Sequence, residues 1–370
     1  MKITIAGSVI PFTGLKRQYE NLRGEILDTT DRVFSSGQLM SGPHTQAFEK
    51  WLADKNHVRY AVTCHSGTNA LEIIANYYAS RTRRHQPRPS VLMPTMTYAA
   101  TANAFIQAGW DIQFADTDPY GVIDFKKLHD AEYEAVVLIG LYGAKTSYDL
   151  LDQPPLGSIV IEDAAQHWLA DNCTRRGAAA ALSFDPTKNF PCYGNGGAVL
   201  TNSRELAEFA DAWRRNGIPT GNQHCGSNSR MSELDCALMM VKSQYLDSWQ
   251  ERRKTIAEYY MSRFQAANIR CLIDDTNWEG HSFHKFVIDI DNRDAVQKQL
   301  LDCDIETKIH YTHPLHEVGM FSRYTGPDIL SCASSLARRV ISLPIYPELT
   351  DAEIEYIANQ VIDCVSEKHS

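Results

Sequence analysis

Three residues of this 370-residue chain have types and spacing that can do chemistry together: Asp163, Ser183 and Lys188, each just beyond a short apolar run. A lysine amine forms a Schiff base only when unprotonated, so a lysine at a desolvated site, its pKa depressed, is suited to holding an aldehyde. Most lysines are solvated surface residues. Lys188 stands apart because it follows the run AALSF at 180–184 and precedes YGNGGAVL at 193–200, where glycines let the backbone come close to a ligand.

If the aldehyde is pyridoxal phosphate (PLP), a carboxylate beside its pyridine nitrogen keeps that nitrogen protonated, and the ring then accepts the electrons of a substrate carbanion. Asp163 in IEDAAQ is the candidate, although it would serve equally as the cap of a helix beginning at AAQ. The phosphate would suit the start of a helix, where backbone N–H groups and the dipole point at an anion. SGT at 66–68 fits, and is also an ordinary turn and cap. Tyr98 could stack on a cofactor ring or belong to a core.

These residues need elements to position them. Short apolar runs at 61–64, 90–93, 135–141, 158–162 and 180–184 read as buried strands, alternating with amphipathic stretches such as SGTNALEIIANYYA and TANAFIQAG. That alternation predicts an α/β fold, in which ligands sit at the carboxyl ends of the strands. After about residue 245 a long polar helical stretch, LDSWQERRKTIAEYYMSRFQAA, leads to strand-like pieces such as FHKFVIDID. The predicted division is a large domain over 1–250, N-terminal segment included, and a small C-terminal domain over 251–370.

Composition narrows the classes. With 44% apolar and 22% charged residues the chain can build a sizeable core, and its net charge of −9 opposes a general nucleic-acid role. The densest cationic run, Arg81, Arg83, Arg84 and Arg88 with Pro87 and Pro89, reads as a solvated loop. Nine cysteines without a CxxC pair suggest reduced thiols, and neither a signal-peptide pattern nor a membrane-length apolar stretch is evident, so a cytoplasmic location is expected. No GxGxxG follows an early strand, and GAKT at 143–146 lacks the spacing of a phosphate loop. His310, His313 and His316 recur every third residue in HYTHPLH, but Pro314 breaks any helix that would align them, so no metal site is expected. His281 and His284 are read as structural.

Taken in order, the motifs SGTNAL (66–71), MPTMTYAATANA (93–104), IEDAAQ (161–166), SFDPTKN (183–189), GNGGAVLTN (194–202), SNSRMSELDCAL (227–238), HYTHPLH (310–316) and SLPIYPELT (342–350) make the chain resemble the DegT/DnrJ/EryC1/StrS family of nucleotide-sugar aminotransferases nearly end to end. The resemblance implies the type I fold of PLP-dependent transferases (aspartate aminotransferase-like). This is a large domain with a mixed, mostly parallel seven-stranded sheet and a smaller α+β domain. It further implies that Lys188 anchors PLP as an internal Schiff base and acts as general base, that Asp163 holds the pyridine nitrogen, that Gln166 lies near the phenolic oxygen, and that Tyr98 stacks on the ring. Gly67, Thr68 and Ser183 would bind the phosphate, with Asn228 reaching across from the second subunit of a homodimer. Gly42, Arg230, His310 and Tyr311 are the implied substrate contacts. Glutamate would be the amino donor and a 3-keto or 4-keto deoxysugar on a nucleoside diphosphate the acceptor. Asp185 stands where many members have His, Asn195 replaces a usual acidic residue and Ser229 a common tyrosine, which bears on the substrate. A related sugar dehydratase, with histidine in place of the lysine, and a non-catalytic regulatory homologue are the rival readings.

Overall fold

A computed structural model describes residues 9–82, 88–124, 133–146, 158–171, 173–174, 177–218, 221, 225–324 and 330–366. The cationic run therefore lies partly outside the described residues. Arg81 ends a helix, and Arg88 is paired with Asp111 at 3.6 Å.

The chain opens with helices α1 (Leu15–Ser36) and α2 (Pro43–Asn56), the second started by a proline whose missing N–H costs nothing in a first turn. Then come β1 (Tyr60–Cys64), α3 (Gly67–Thr82), β2 (Ser90–Pro94), α4 (Ala99–Gln107), β3 (Asp111–Ala115), β4 (Ala135–Leu138), β5 (Ile159–Asp163), β6 (Ala179–Ser183) and β7 (Gly197–Thr201). Among the described residues these seven strands form one sheet in the order β1-β7-β6-β5-β4-β2-β3. The pairings among β6, β5, β4, β2 and β3 are parallel, and β7 runs antiparallel to both β1 and β6.

Both faces of this sheet are covered, which explains why its strands read as continuous apolar runs. In β6, Ala179 and Ala181 face a core shared with α3 and α4, while Ala180 and Leu182 face Phe48, Phe184 and Phe190 on the other side. Val199 of β7 joins the first core and Ala198 and Leu200 the second, as the two-residue period of a strand requires. Each fully buried Val, Leu or Phe contributes about 1.5–3 kcal/mol. Serines fix two of the covering helices: Ser203 caps α5 (Arg204–Trp213) through Leu206 N–H, and Ser232 caps α6 (Glu233–Ser243) through Asp235 N–H.

The long helix α7 (Leu246–Ala266) starts in one core with Leu246 and continues into another with Ile256, Tyr260 and Phe264. The proposed division near residue 250 falls inside it. The second core packs α7 on a three-stranded antiparallel sheet of β8 (Arg270–Cys271), β9 (Phe286–Asp289) and β10 (Val340–Leu343), with α8 (Arg293–Asp302), α9 (Ser331–Arg339) and α10 (Asp351–Ser366) around it. Ile10 belongs to this core and bridges to Ile305, so the first described residues pack with the C-terminal part.

Two sequence readings change. The run 135–141 is a strand only to Leu138. Gly140 then turns the chain so tightly that a Cβ there would lie 2.1 Å from Ala144 O, and Tyr142 adopts φ 63°. After Asp163 no α-helix forms: residues 164–171 make turns, and Asp163 Oδ1 accepts Ala165 N–H at 3.3 Å.

Candidate active site

The carboxyl ends of β5 and β6 deliver Asp163 and Ser183 to one edge of the sheet, and the turn after β6 delivers Lys188, whose N–H donates to Asp185 O at 2.9 Å. Opposite them α3 begins, with Ser66 Oγ accepting Asn69 N–H at 3.1 Å. The approach is close: a Cβ on Gly67 would lie 2.7 Å from Ser183 Cβ, and one on Gly197 would lie 2.4 Å from the backbone of Ser66. Glycine at both positions is what lets a helix N-terminus sit against the end of a strand.

Between these elements is a cavity of about 420 Å³. Gly67, Thr68, Tyr98, Asp163, Gln166, Ser183, Lys188, His310 and Tyr311 all line it, so the fold gathers residues from five distant stretches of chain. Asn228, Gly42 and Arg230 do not. Asn228 is exposed, and Arg230 Nη2 donates to its Oδ1 at 3.4 Å. Gly42 N–H donates to Glu233 Oε2 at 2.8 Å, which ties the start of α2 to α6.

Burial pulls the Lys188 amine below the ordinary lysine pKa, partly offset by Asp163 and Asp185, which favour its charged form. Asp163 is buried, and its Oδ2 accepts the Thr101 hydroxyl at 2.7 Å. Since that hydroxyl donates to the carboxylate, it accepts in turn from Thr97 Oγ1 at 3.0 Å. Gln166 is held at both ends: Oε1 accepts Tyr142 N–H at 2.9 Å, and Nε2 donates to the Tyr311 hydroxyl at 3.1 Å. Tyr98 is 62% exposed, its ring 6.2 Å from that of Tyr311 and tilted 32° to it, which leaves it open to the cavity rather than in a core. Burial pushes the Tyr311 phenol up, and pulls His310 down to about 3, with Lys285, Lys188 and Lys308 adding to the effect.

Sequence reasoning missed Thr101, Tyr142 and Lys285. It also set aside His284, which lines the cavity and donates from Nδ1 to Asn189 Oδ1 at 3.0 Å. His281 is buried outside the cavity, with Nδ1 accepting Phe283 N–H at 2.9 Å. Of the three histidines of HYTHPLH, His310 meets Ser342 Oγ, while His313 and His316 lie 3.8 and 3.7 Å from the Glu317 carboxylate and His316 also meets Thr95 Oγ1. A buried cluster of Glu162, His167 and Cys173 does converge. There Gly140 N–H donates into His167 Nδ1 at 2.9 Å, so the neutral ring carries its proton on Nε2, directed at Glu162 and not free to ligate.

The residues present fit a phosphorylated pyridine aldehyde. An amine whose pKa burial lowers can hold the aldehyde, a buried carboxylate can meet a ring nitrogen, and the first turn of α3 with Ser183 can meet a phosphate. On this mixed α/β sheet such an arrangement suits a PLP-dependent enzyme. The comparisons narrow the class: the chain belongs to the DegT/DnrJ/EryC1/StrS aminotransferase family, whose model matches residues 20–362. It is 31% identical to the "Pleiotropic regulatory protein" of Geobacillus stearothermophilus, covering 96% of this chain and 98% of that one. It is 32% identical to the dTDP-3-amino-3,4,6-trideoxy-alpha-D-glucose transaminase of Streptomyces venezuelae, covering 97% and 96%. The crystal structure of S. venezuelae DesV in complex with a ketimine intermediate superposes with a TM-score of 0.89 at 30% identity, covering 97% and 99%. The family and its structural neighbours are PLP-dependent enzymes. Among the described residues no helix is long and apolar enough to cross a membrane.

Proposed function

We propose that this transaminase carries an amino group from glutamate to a 3-keto or 4-keto deoxysugar of a nucleoside diphosphate, for amino-sugar biosynthesis, with PLP held at Lys188 in a cytoplasmic homodimer. The observation that carries the reading is Lys188, its amine desolvated and facing the same cavity as buried Asp163.

PLP when bound supplies an aldehyde carbon that exchanges amines and a ring that takes up electron density. With the cofactor bound, Lys188 Nζ would carry the proton from the donor's α-carbon to C4' of the cofactor, and in the acceptor half-reaction from C4' to the sugar carbon that takes the amine. A lysine that remained fully protonated could not do this, which is why its burial matters. Asp163, oriented by Thr101, keeps a proton on the pyridine nitrogen. Gln166, clamped between Tyr142 and Tyr311, directs an amide N–H toward the phenolic oxygen. Backbone N–H groups at Gly67 and Thr68 with the Ser183 hydroxyl hold the phosphate, Asn228 of the second protomer completes that subsite, and Tyr98 covers the ring. His310 and Tyr311 contact the acceptor, and Gly42 and Arg230, outside this protomer's cavity, would do so only from the second protomer. The exposed apolar side chains Leu27, Phe34, Leu39 and Met40, on and just after α1, offer a face for the second protomer.

The dehydratase reading requires histidine at the anchoring position, where this chain has lysine. The Geobacillus relative bears a regulatory name, but Lys188, Asp163, Gln166 and Ser183 stand together in one cavity here, which favours catalysis. Two measurements test the proposal. Borohydride should fix the cofactor to the peptide containing Lys188, as read by peptide mass. The aminated enzyme should regain its aldehyde absorbance when offered nucleotide-linked 3-keto or 4-keto sugars, and failure with every such sugar would remove the acceptor class.

A further inference from the structure

We propose that Lys285 is the cation that binds the α-carboxylate of the amino donor. This rests on the transaminase reading and adds to it the residue that would distinguish an amino acid from a plain amine.

Lys285 precedes β9 and lines the cavity together with Lys188. Its backbone N–H donates to Tyr142 O at 2.9 Å, so its position is set by the same turn that clamps Gln166. The residue is 7% exposed, an unusual place for a lysine with no paired carboxylate among its close contacts. Nζ donates to Thr187 O at 3.3 Å and lies 4.9 Å from the centre of the Phe12 ring. Once protonated, Nζ carries three hydrogens, so beside the bond to Thr187 O two donors would remain for a ligand.

The other basic groups of the cavity are committed or neutral. Lys188 is needed at the aldehyde, and burial holds His284 and His310 uncharged at neutral pH. Among the described lining residues Lys285 is therefore the basic group left to take up a proton beside an anionic substrate. The groups facing it are Lys188, Arg253, Asp185, His284 and His310. Burial, with Lys188 and Arg253, disfavours its charge while the cavity holds no anion, and Asp185 favours it. A bound carboxylate would tip that balance and draw a proton onto Nζ. The proximity to Lys188 is what an α-carboxylate demands, because amine and carboxylate are borne by the same carbon.

The test uses the holoenzyme and its Lys285→Met and Lys285→Arg variants, titrated calorimetrically with 2-oxoglutarate and with pyruvate, whose only carboxylate is the α one. Lys285→Met should weaken both at least about tenfold, Lys285→Arg only a few-fold, and the affinity for a nucleoside diphosphate should not change. Run in two buffers of different ionisation enthalpy, the parent enzyme should take up a proton on binding and Lys285→Met should not. An intact visible cofactor band in Lys285→Met shows that the site has folded. Unchanged 2-oxo acid binding in that variant overturns the proposal, as does an equal loss of nucleotide binding or an effect confined to 2-oxoglutarate. Absence of the cofactor band from the parent enzyme would strike the transaminase reading itself.

Discussion

Thr101 donates its hydroxyl to Asp163 Oδ2 at 2.7 Å, joining the first turn of α4 to the end of β5 beneath the cavity. A hydrogen bond to a charged group contributes about 1.5–3 kcal/mol, and its loss lets the carboxylate rotate away from the ring nitrogen it is proposed to serve. Thr101→Val keeps the shape and removes the donor. It should lower kcat/KM about tenfold or more with the fold unchanged by circular dichroism.

Lys188→Ala should abolish the covalently fixed cofactor and lower kcat by at least about 10²–10⁴-fold, the range of a positioned general base. Lys188→Arg tests the same point from the other side, since a guanidinium stays protonated however buried it is. Cofactor still fixed to the protein by borohydride in Lys188→Ala would remove Lys188 from its role.

Gly67→Ala places a methyl 2.7 Å from Ser183 Cβ, so α3 must move away from β6. Overpacking of this kind costs about 1–3 kcal/mol. Cofactor affinity, measured by fluorescence titration of apoenzyme, should fall more than the urea midpoint of the apoenzyme does, because the displaced turn is the proposed phosphate subsite.

Mixing Lys188→Ala with Asn228→Ala subunits tests the shared site. If Asn228 acts across the interface, the mixed dimer, once isolated, holds one intact site of its two and half of the parent activity. If it acts within its own chain, both sites stay damaged and nothing returns.

Burial pulls His281 from its ordinary 6.5 down to about 3. Between those values the unfolded chain binds a proton that the folded one refuses, so stability falls as pH drops through that window, by up to about 1.4 kcal/mol per pH unit for this group alone. The loss is complete below the folded value, where both states are protonated. Urea midpoints of the apoenzyme between pH 7 and 4 should show that slope, shallower in His281→Gln.

The sequence by itself determined the family and the elements beneath the proposed site. Asp163, Ser183 and Lys188 follow apolar runs that become β5 and β6, and SGT at 66–68 opens α3, because strand burial and helix capping are local properties of residue type and spacing. It did not disclose β7, which pairs between β1 and β6 directly after the glycine-rich stretch, whose Asn195 and Gly196 line the cavity. Nor did it find Thr101 or Lys285, since a threonine in a helix or a lysine before a strand carries no local signal. Lys285 becomes a site residue only when β9 packs against the turn at Tyr142. Tertiary structure also decided that Gln166 is clamped and that the Lys188 amine loses solvent, because both depend on groups far apart in the chain meeting in a cavity where burial sets the charge.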